Sequence, residues 1–324
     1  MTAGGDGTLT ERRRLPALPA TPDGRVRAAA WASLAAEVLL VATGGAVRLS
    51  GSGLGCPTWP RCTTGSLVAT PAMGVHGAIE FGNRLLTFVL VLVAVAAFLA
   101  VVRMWRTRRD LFGLALAQLL SIPAQAVLGG ITVLVGLNPW VVGAHFIFSL
   151  ALVVLMTAFV HRASTATGPR VRAVPAWFVA TTVVLAVLAG ITVVLGILTT
   201  GAGPHAGDAS SPRNGLDPVT LQDLHSAPAF LLAAGTLLLL VAAFALGRLR
   251  ARLALLTAVE LAQVAVGVTQ ARLGLPPGLV VVHLFLAACL VAAVTAVVLG
   301  VRQPAARAWS AEVPLEREAQ RHAR

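Results

Sequence analysis

The feature that most limits this chain is a series of eight apolar runs, each of roughly 20 residues and set apart by short polar breaks. They fall at 28–48, 75–101, 111–135, 140–160, 175–199, 219–246, 251–271 and 279–301. A helix rises about 1.5 Å per residue, so about 20 apolar residues match a hydrocarbon layer of about 30 Å. Inside lipid every backbone N–H and C=O must find its partner within the protein, which leaves helices or closed barrels, and the length of these runs selects helices. At 57% hydrophobic and 12% charged over 324 residues, the chain is too apolar for a soluble domain. The predicted fold class is therefore an all-α membrane protein with eight transmembrane helices.

The formal net charge of +12 does not point to nucleic acid, because every cation is an arginine and none forms a stripe on a soluble domain. Twenty arginines fall in the two tails and in the loops after the second, fourth and sixth runs. Four (Arg48, Arg61, Arg213 and Arg272) fall on the other side, and Arg84 lies within a run. By the positive-inside rule both termini are expected in the cytoplasm, which independently requires an even number of spans. The first 27 residues are polar with no cleavage pattern, so the first helix is expected to stay as an anchor in the cell (inner) membrane.

An internal repeat organises the chain. Sliding by 138 residues lays Gln125–Val153 on Gln263–Val291 without a gap, matching Gln125/Gln263, Gly129/Gly267, Gly136/Gly274, Leu137/Leu275, Pro139/Pro277 and His145/His283. A weaker match, offset by 150, sets Gly51-Ser-Gly53 on Gly201-Ala-Gly203. The reading is two tandem, pseudo-symmetric four-helix bundles of the same orientation: a tail 1–27, a bundle 28–162, a linker 163–174, a bundle 175–301 and a tail 302–324.

Ionisable groups inside a bilayer cost several kcal/mol, so each is a candidate for function. His145, His225 and His283 all sit roughly 6 to 9 Å below the outer surface at about 1.5 Å per residue. Imidazole is a usual axial ligand of haem iron, and bundle cores often hold cofactors between facing helices. A single buried His is as readily a packing residue. Two at identical repeat positions with a third at equal depth favour paired cofactors. His161 and His322 lie among arginines and are expected to be solvated, while His205, in the second outer loop, is either a loop residue or a propionate contact.

In the second run, His76, Glu80, Asn83 and Arg84 fall at helical spacings on one face. A carboxylate there is either functional or simply neutralised by Arg84 four residues on. Glu37 and Glu260 have no such surroundings and stay unassigned. Cys56 and Cys62, in an outer loop, are spaced for a disulfide rather than for zinc. Cys289 reads as packing.

Over roughly residues 30–300 the chain resembles the haem A synthase family. The resemblance rests on Gly51-Ser-Gly-Leu-Gly-Cys56-Pro-Thr-Trp-Pro60 with Cys62, Ile79-Glu80-Phe-Gly-Asn-Arg84, Leu128-Gly-Gly-Ile-Thr-Val133 with Asn138-Pro139 and His145, Thr200-Gly-Ala-Gly-Pro-His205, and Leu279–His283. It implies haem b held axially by His225 and His283, substrate haem O ligated by His145, Glu80 in catalysis, and a Cys56/Cys62 pair. The implied reaction hydroxylates the C8 methyl of haem O twice and loses water to give the formyl group of haem A.

One departure stands out. Asn83 occupies the place of a fourth ligating His, an alignment supported by the 62 residues from Asn83 to His145 against 58 from His225 to His283. Asn binds iron weakly, which leaves a five-coordinate or water-ligated substrate iron, or His76 as a substitute ligand. Arg84 adjoins the same site. Haem O is poorly soluble, which makes haem O synthase a candidate partner for transfer within the membrane, beside an electron donor; homo-oligomerisation stays open.

Two other classes compete with this reading. A non-catalytic b-type cytochrome fits the bis-His half but not the presence of Glu80, Asn83 and the cysteines in one half only. A transporter would break its helices near the midplane, whereas Gly and Pro here cluster at helix ends, with Pro123 and Pro228 the main exceptions.

Overall fold

The computed structural model describes residues 18–305. Most of both arginine-rich tails, and His322, lie outside that range. Within it are eight helices long and apolar enough to cross a membrane: α1 (Gly24–Leu49), α2 (Gly74–Val101), α3 (Arg109–Leu134), α4 (Pro139–Ala163), α5 (Ala176–Ala202), α6 (Pro218–Leu246), α7 (Arg250–Arg272) and α8 (Pro277–Gly300). The eight-span expectation holds. Pro123 and Pro228 lie inside α3 and α6, which run through them unbroken.

Local chemistry sets the helix ends. Asp23, Asn138 and Asp217 cap α1, α4 and α6, each accepting from a backbone N–H of the first turn, and Pro139, Pro218 and Pro277 stand where the helix needs no N–H. Helices α3 and α7 stop in the same way. Gly136 and Gly274 take φ of 62° and 72°, and the leucines after them, Leu137 and Leu275, take 59° and 63°. The Leu137 N–H reaches back to Thr132 O at 2.8 Å and the Leu275 N–H to Gln270 O at 2.7 Å. Two successive left-handed residues close the helix by satisfying carbonyls that have no partner within it.

Helices α1–α4 pack as a closed ring in chain order, α1 also meeting α4, and α5–α8 form a second ring closed by α5 against α8. The seam between them is α8 against α1 and α4, with α4 also touching α5. Large buried side chains such as Met104, Leu111, Phe159, Phe178 and Leu253 gather toward the arginine-rich ends. Tight packing thus sits at one end of each ring, and His145, His225 and His283 at the other. The outward faces remain apolar, with Leu92 70% and Leu238 72% exposed, as lipid rather than water as solvent requires.

Two features depart from the expected plain linker. Arg170–Arg172 (β1) pairs antiparallel with Arg302–Pro304 (β2), with Val171 opposite Gln303. His161, expected to be solvated, is 8% exposed, its Nε2 3.3 Å from Arg170 and its Nδ1 3.4 Å from Arg252. The last turn of α4 is covered by the other ring, which the local run of arginines did not reveal.

Candidate functional site

In the second ring, α6 and α8 bring His225 and His283 together, with ring centroids 6.2 Å apart and planes at 72°. Two imidazoles on opposite sides of one metal, each bonded at about 2 Å, have centres about 6 Å apart. His225 Nδ1 lies 2.9 Å from Thr192 O. A carbonyl only accepts, so Nδ1 carries the proton and Nε2 keeps its lone pair for a ligand.

Glycines make room for these rings. A Cβ on Gly196 would meet His225 Cε1 at 2.8 Å, and one on Gly267 would meet His283 Cε1 at 3.2 Å. The first ring repeats the arrangement, since a Cβ on Gly129 would meet His145 Cε1 at 3.2 Å. Gln125 Nε2 donates to His145 O at 3.2 Å, and Gln263 Nε2 to His283 O at 3.1 Å. The repeat had paired these glutamines and glycines; their part in seating the histidines was not readable from it. Asn83 Oδ1, His145 Nδ1 and His283 Nδ1 are buried with no hydrogen-bond partner. Orphaned polar atoms of this kind are expected where a bound group completes the site.

What separates the two rings is the outer loop. Cys56 and Cys62 form a disulfide, and both are fully buried. Glu80 Oε2 accepts from the Cys56 N–H at 2.6 Å, and Oε1 is ion-paired with Arg84. Arg84 in turn donates to the carbonyls of Cys56, Thr58 and Arg61. The i, i+4 pairing considered from the spacing is therefore present, and the bond to Cys56, which spacing could not reveal, anchors the same carboxylate to the disulfide. Trp59, between the cysteines, lies on α3, where a Cβ on Gly130 would meet its ring at 2.3 Å. Gly129 and Gly130 thus admit, one residue apart, His145 on one side and the cysteine loop on the other.

That double fit predicts a stability effect. Gly130→Val should displace Trp59 and cost about 1–3 kcal/mol by overpacking. Gly190→Ala, where a Cβ would meet nothing within 4 Å, should cost nothing. Thermal unfolding of the detergent-purified protein, followed by tryptophan emission, checks both. Equal melting temperatures for the two variants would mean that the loop does not dock on α3.

His76 stands slightly apart. Its Nδ1 lies 2.9 Å from Ser52 Oγ, and it lines an outer cavity of about 620 Å³ with Pro57, Met73 and Asp208. The two outer loops are joined there. The Gly53 N–H donates to Gly207 O at 2.8 Å, and Arg48 donates to His205 O at 2.8 Å and to Thr200 O at 3.1 Å. It is the carbonyl of His205 that makes this contact, while partial burial and the nearby Arg48 and Arg213 hold its imidazole below the usual pKa.

Residues 27–295, from α1 into α8, match the COX15-CtaA family, described as cytochrome oxidase assembly protein. The chain belongs to that family. Among similar proteins, one named heme A synthase from Geobacillus kaustophilus (strain HTA426) is 29% identical over 126 residues, 39% of each chain. Another of that name, from Lysinibacillus sphaericus (strain C3-41), is 35% identical over 143 residues, 40% of this chain and 44% of that one. A third, from Bacillus pumilus (strain SAFR-032), is 33% identical over 133 residues, 39% and 42% of the two chains. The matches span about two fifths of the length of these curated relatives. The family match takes in both rings, so His145, His225, His283, Glu80 and the disulfide loop all lie within the COX15-CtaA region.

Proposed function

We propose that this protein is a membrane oxidoreductase that converts haem O to haem A, oxidising the C8 methyl to a formyl group by two hydroxylations and loss of water. The observation that carries this reading is the asymmetry of two otherwise matching imidazole sites. Both rings seat a histidine against a glycine and hold it by a glutamine on the preceding helix. The first ring alone adds Glu80, tied to the disulfide loop that packs one residue from the His145 seat.

In this reading His225 and His283 hold haem b in the C-terminal bundle, and His145 binds substrate haem O in the N-terminal one. When bound, haem b supplies one-electron transfer. Thr192, by accepting the Nδ1 proton, fixes the His225 tautomer that presents Nε2. Asn83, whose Oδ1 is buried without a partner, offers the substrate a neutral polar group in place of a second strong ligand. Glu80 in this reading shuttles protons or orients water near the substrate methyl, and Arg84 balances its charge. The outer cavity beside His76 is the reading's entrance for substrate, with both termini in the cytoplasm and the site near the outer surface of the cell membrane.

The relatives named heme A synthase support the same activity. A b-type cytochrome is the second reading, favoured by the His225–His283 geometry alone. Co-expression with a haem O synthase in a host that lacks haem A decides between them. Haem A in the extracted pigment is the expected result, and haem B alone would favour the cytochrome.

A further inference from the structure

Below the histidine level, the N-terminal ring contains a second polar site that the chemistry above leaves unused. Glu37 on α1 is 4% exposed and Gln118 on α3 is fully buried. Helices α1 and α3 lie across the ring from one another, so these side chains meet in its lumen rather than at a helix contact. The carboxyl faces the amide, but no hydrogen bond of normal geometry closes between them. Glu37 Oε1, both amide atoms of Gln118 and the hydroxyl of Ser33, one turn before Glu37, are all buried without a partner. Four orphaned polar atoms in one apolar slab cost several kcal/mol unless water joins them. Several unsatisfied donors and acceptors on α1 and α3 are what a small buried water cluster requires.

The cluster has a direction. Gln118, Ser121, Gln125 and Gly129 recur at spacings of three and four, so they form one stripe on α3 rising from Glu37 to the His145 seat. At the repeat-related positions on α7 stand Leu256, Val259, Gln263 and Gly267. The upper half of the stripe is common to both rings, and the lower, polar half belongs to the first ring alone. On the second ring the buried Glu260 accepts from Thr236 at 2.9 Å through Oε1, while its Oε2 and the Thr257 hydroxyl are buried without a partner, so Glu260 has a side-chain donor of normal geometry where Glu37 has none. The other carboxylates of α1–α4 are Glu80, tied to the loop, and Asp110, taken by Arg108.

We propose that Ser33, Glu37 and Gln118 hold water in the lumen, and that Glu37 passes protons between this water and the His145 seat above. The inference rests on the haem O reading. Turning a methyl into a formyl group moves protons as well as electrons, and Glu37 is the one carboxylate of α1–α4 that neither the loop nor an arginine holds. In the step, Glu37 gives its proton to a neighbouring water and is reprotonated from the other side. No electron moves through it.

Two isosteric contrasts test this. If Glu37 only packs, E37Q should preserve function and the shorter E37D should harm it; a proton role reverses the order. In the purified full-length protein, E37Q should slow haem O conversion about tenfold or more with an unchanged KM, while E37D keeps most of the rate. The carboxylic C=O infrared band lost in E37Q should shift when wild-type protein is moved into D2O, because its proton exchanges with water. E37Q at the wild-type rate, or a Glu37 band that D2O leaves in place, overturns the proposal. Should wild-type protein make no haem A, the functional reading fails by itself, and the infrared arm alone decides whether Glu37 is hydrated.

Discussion

Glu80→Gln protein is expected to keep its haem b and to lose haem O conversion by roughly a hundredfold or more, the usual effect of removing a proton-transferring group. The substitution is nearly isosteric. The carbonyl of the introduced amide can still accept from the Cys56 N–H, and Arg84 keeps its carbonyl partners in the loop. The loop should therefore stay docked while the charge and the proton-accepting capacity disappear. Chromatography of extracted haems gives the ratio of haem A to haem O directly. If haem A forms undiminished, Glu80 is only the counter-ion of Arg84 and an anchor for the cysteine loop.

The second large effect is expected at the facing imidazoles. If His225 and His283 hold haem b as proposed, either His225→Ala or His283→Ala should strip the C-terminal ring of its pigment, since each would remove one of two axial ligands. The loss should exceed the roughly 10–100-fold fall in metal affinity that follows removal of a hydrogen-bond partner of a metal-bound histidine. His145→Ala should leave this pigment in place and weaken retention of haem O instead. Absorption and paramagnetic resonance spectra of the three purified variants separate the outcomes. A bis-imidazole signal persisting in His283→Ala would move the haem elsewhere.

Much of this molecule can be read before any coordinate is known, and the reason is physical. Lipid forces long apolar helices, so the eight spans stand out as runs; duplication puts His145 and His283 in register, so two sites stand out as one motif. What stays hidden are contacts that no period encodes. The Cys56–Glu80 bond joins residues 24 apart, and the Arg48–His205 bond joins residues 157 apart. Glu37 looked isolated because its neighbour Gln118 lies across the ring on a helix it does not pack against. His161 was misjudged because its surroundings in sequence are charged while those in space are the end of another ring.

The seam carries one more implication. Gly45 of α1 faces Leu284 of α8, where a Cβ would sit 2.7 Å from the leucine Cδ1, and Leu284 directly follows His283. A knob from one ring thus fills a notch in the other, next to the His283 imidazole. Chimeras that exchange halves between relatives split this lock from its key, since Gly45 and Leu284 lie in different halves: a bulkier residue at the notch would push on the helix that carries His283. After the duplication, the two copies could diverge in chemistry far more freely than in the shapes they press together.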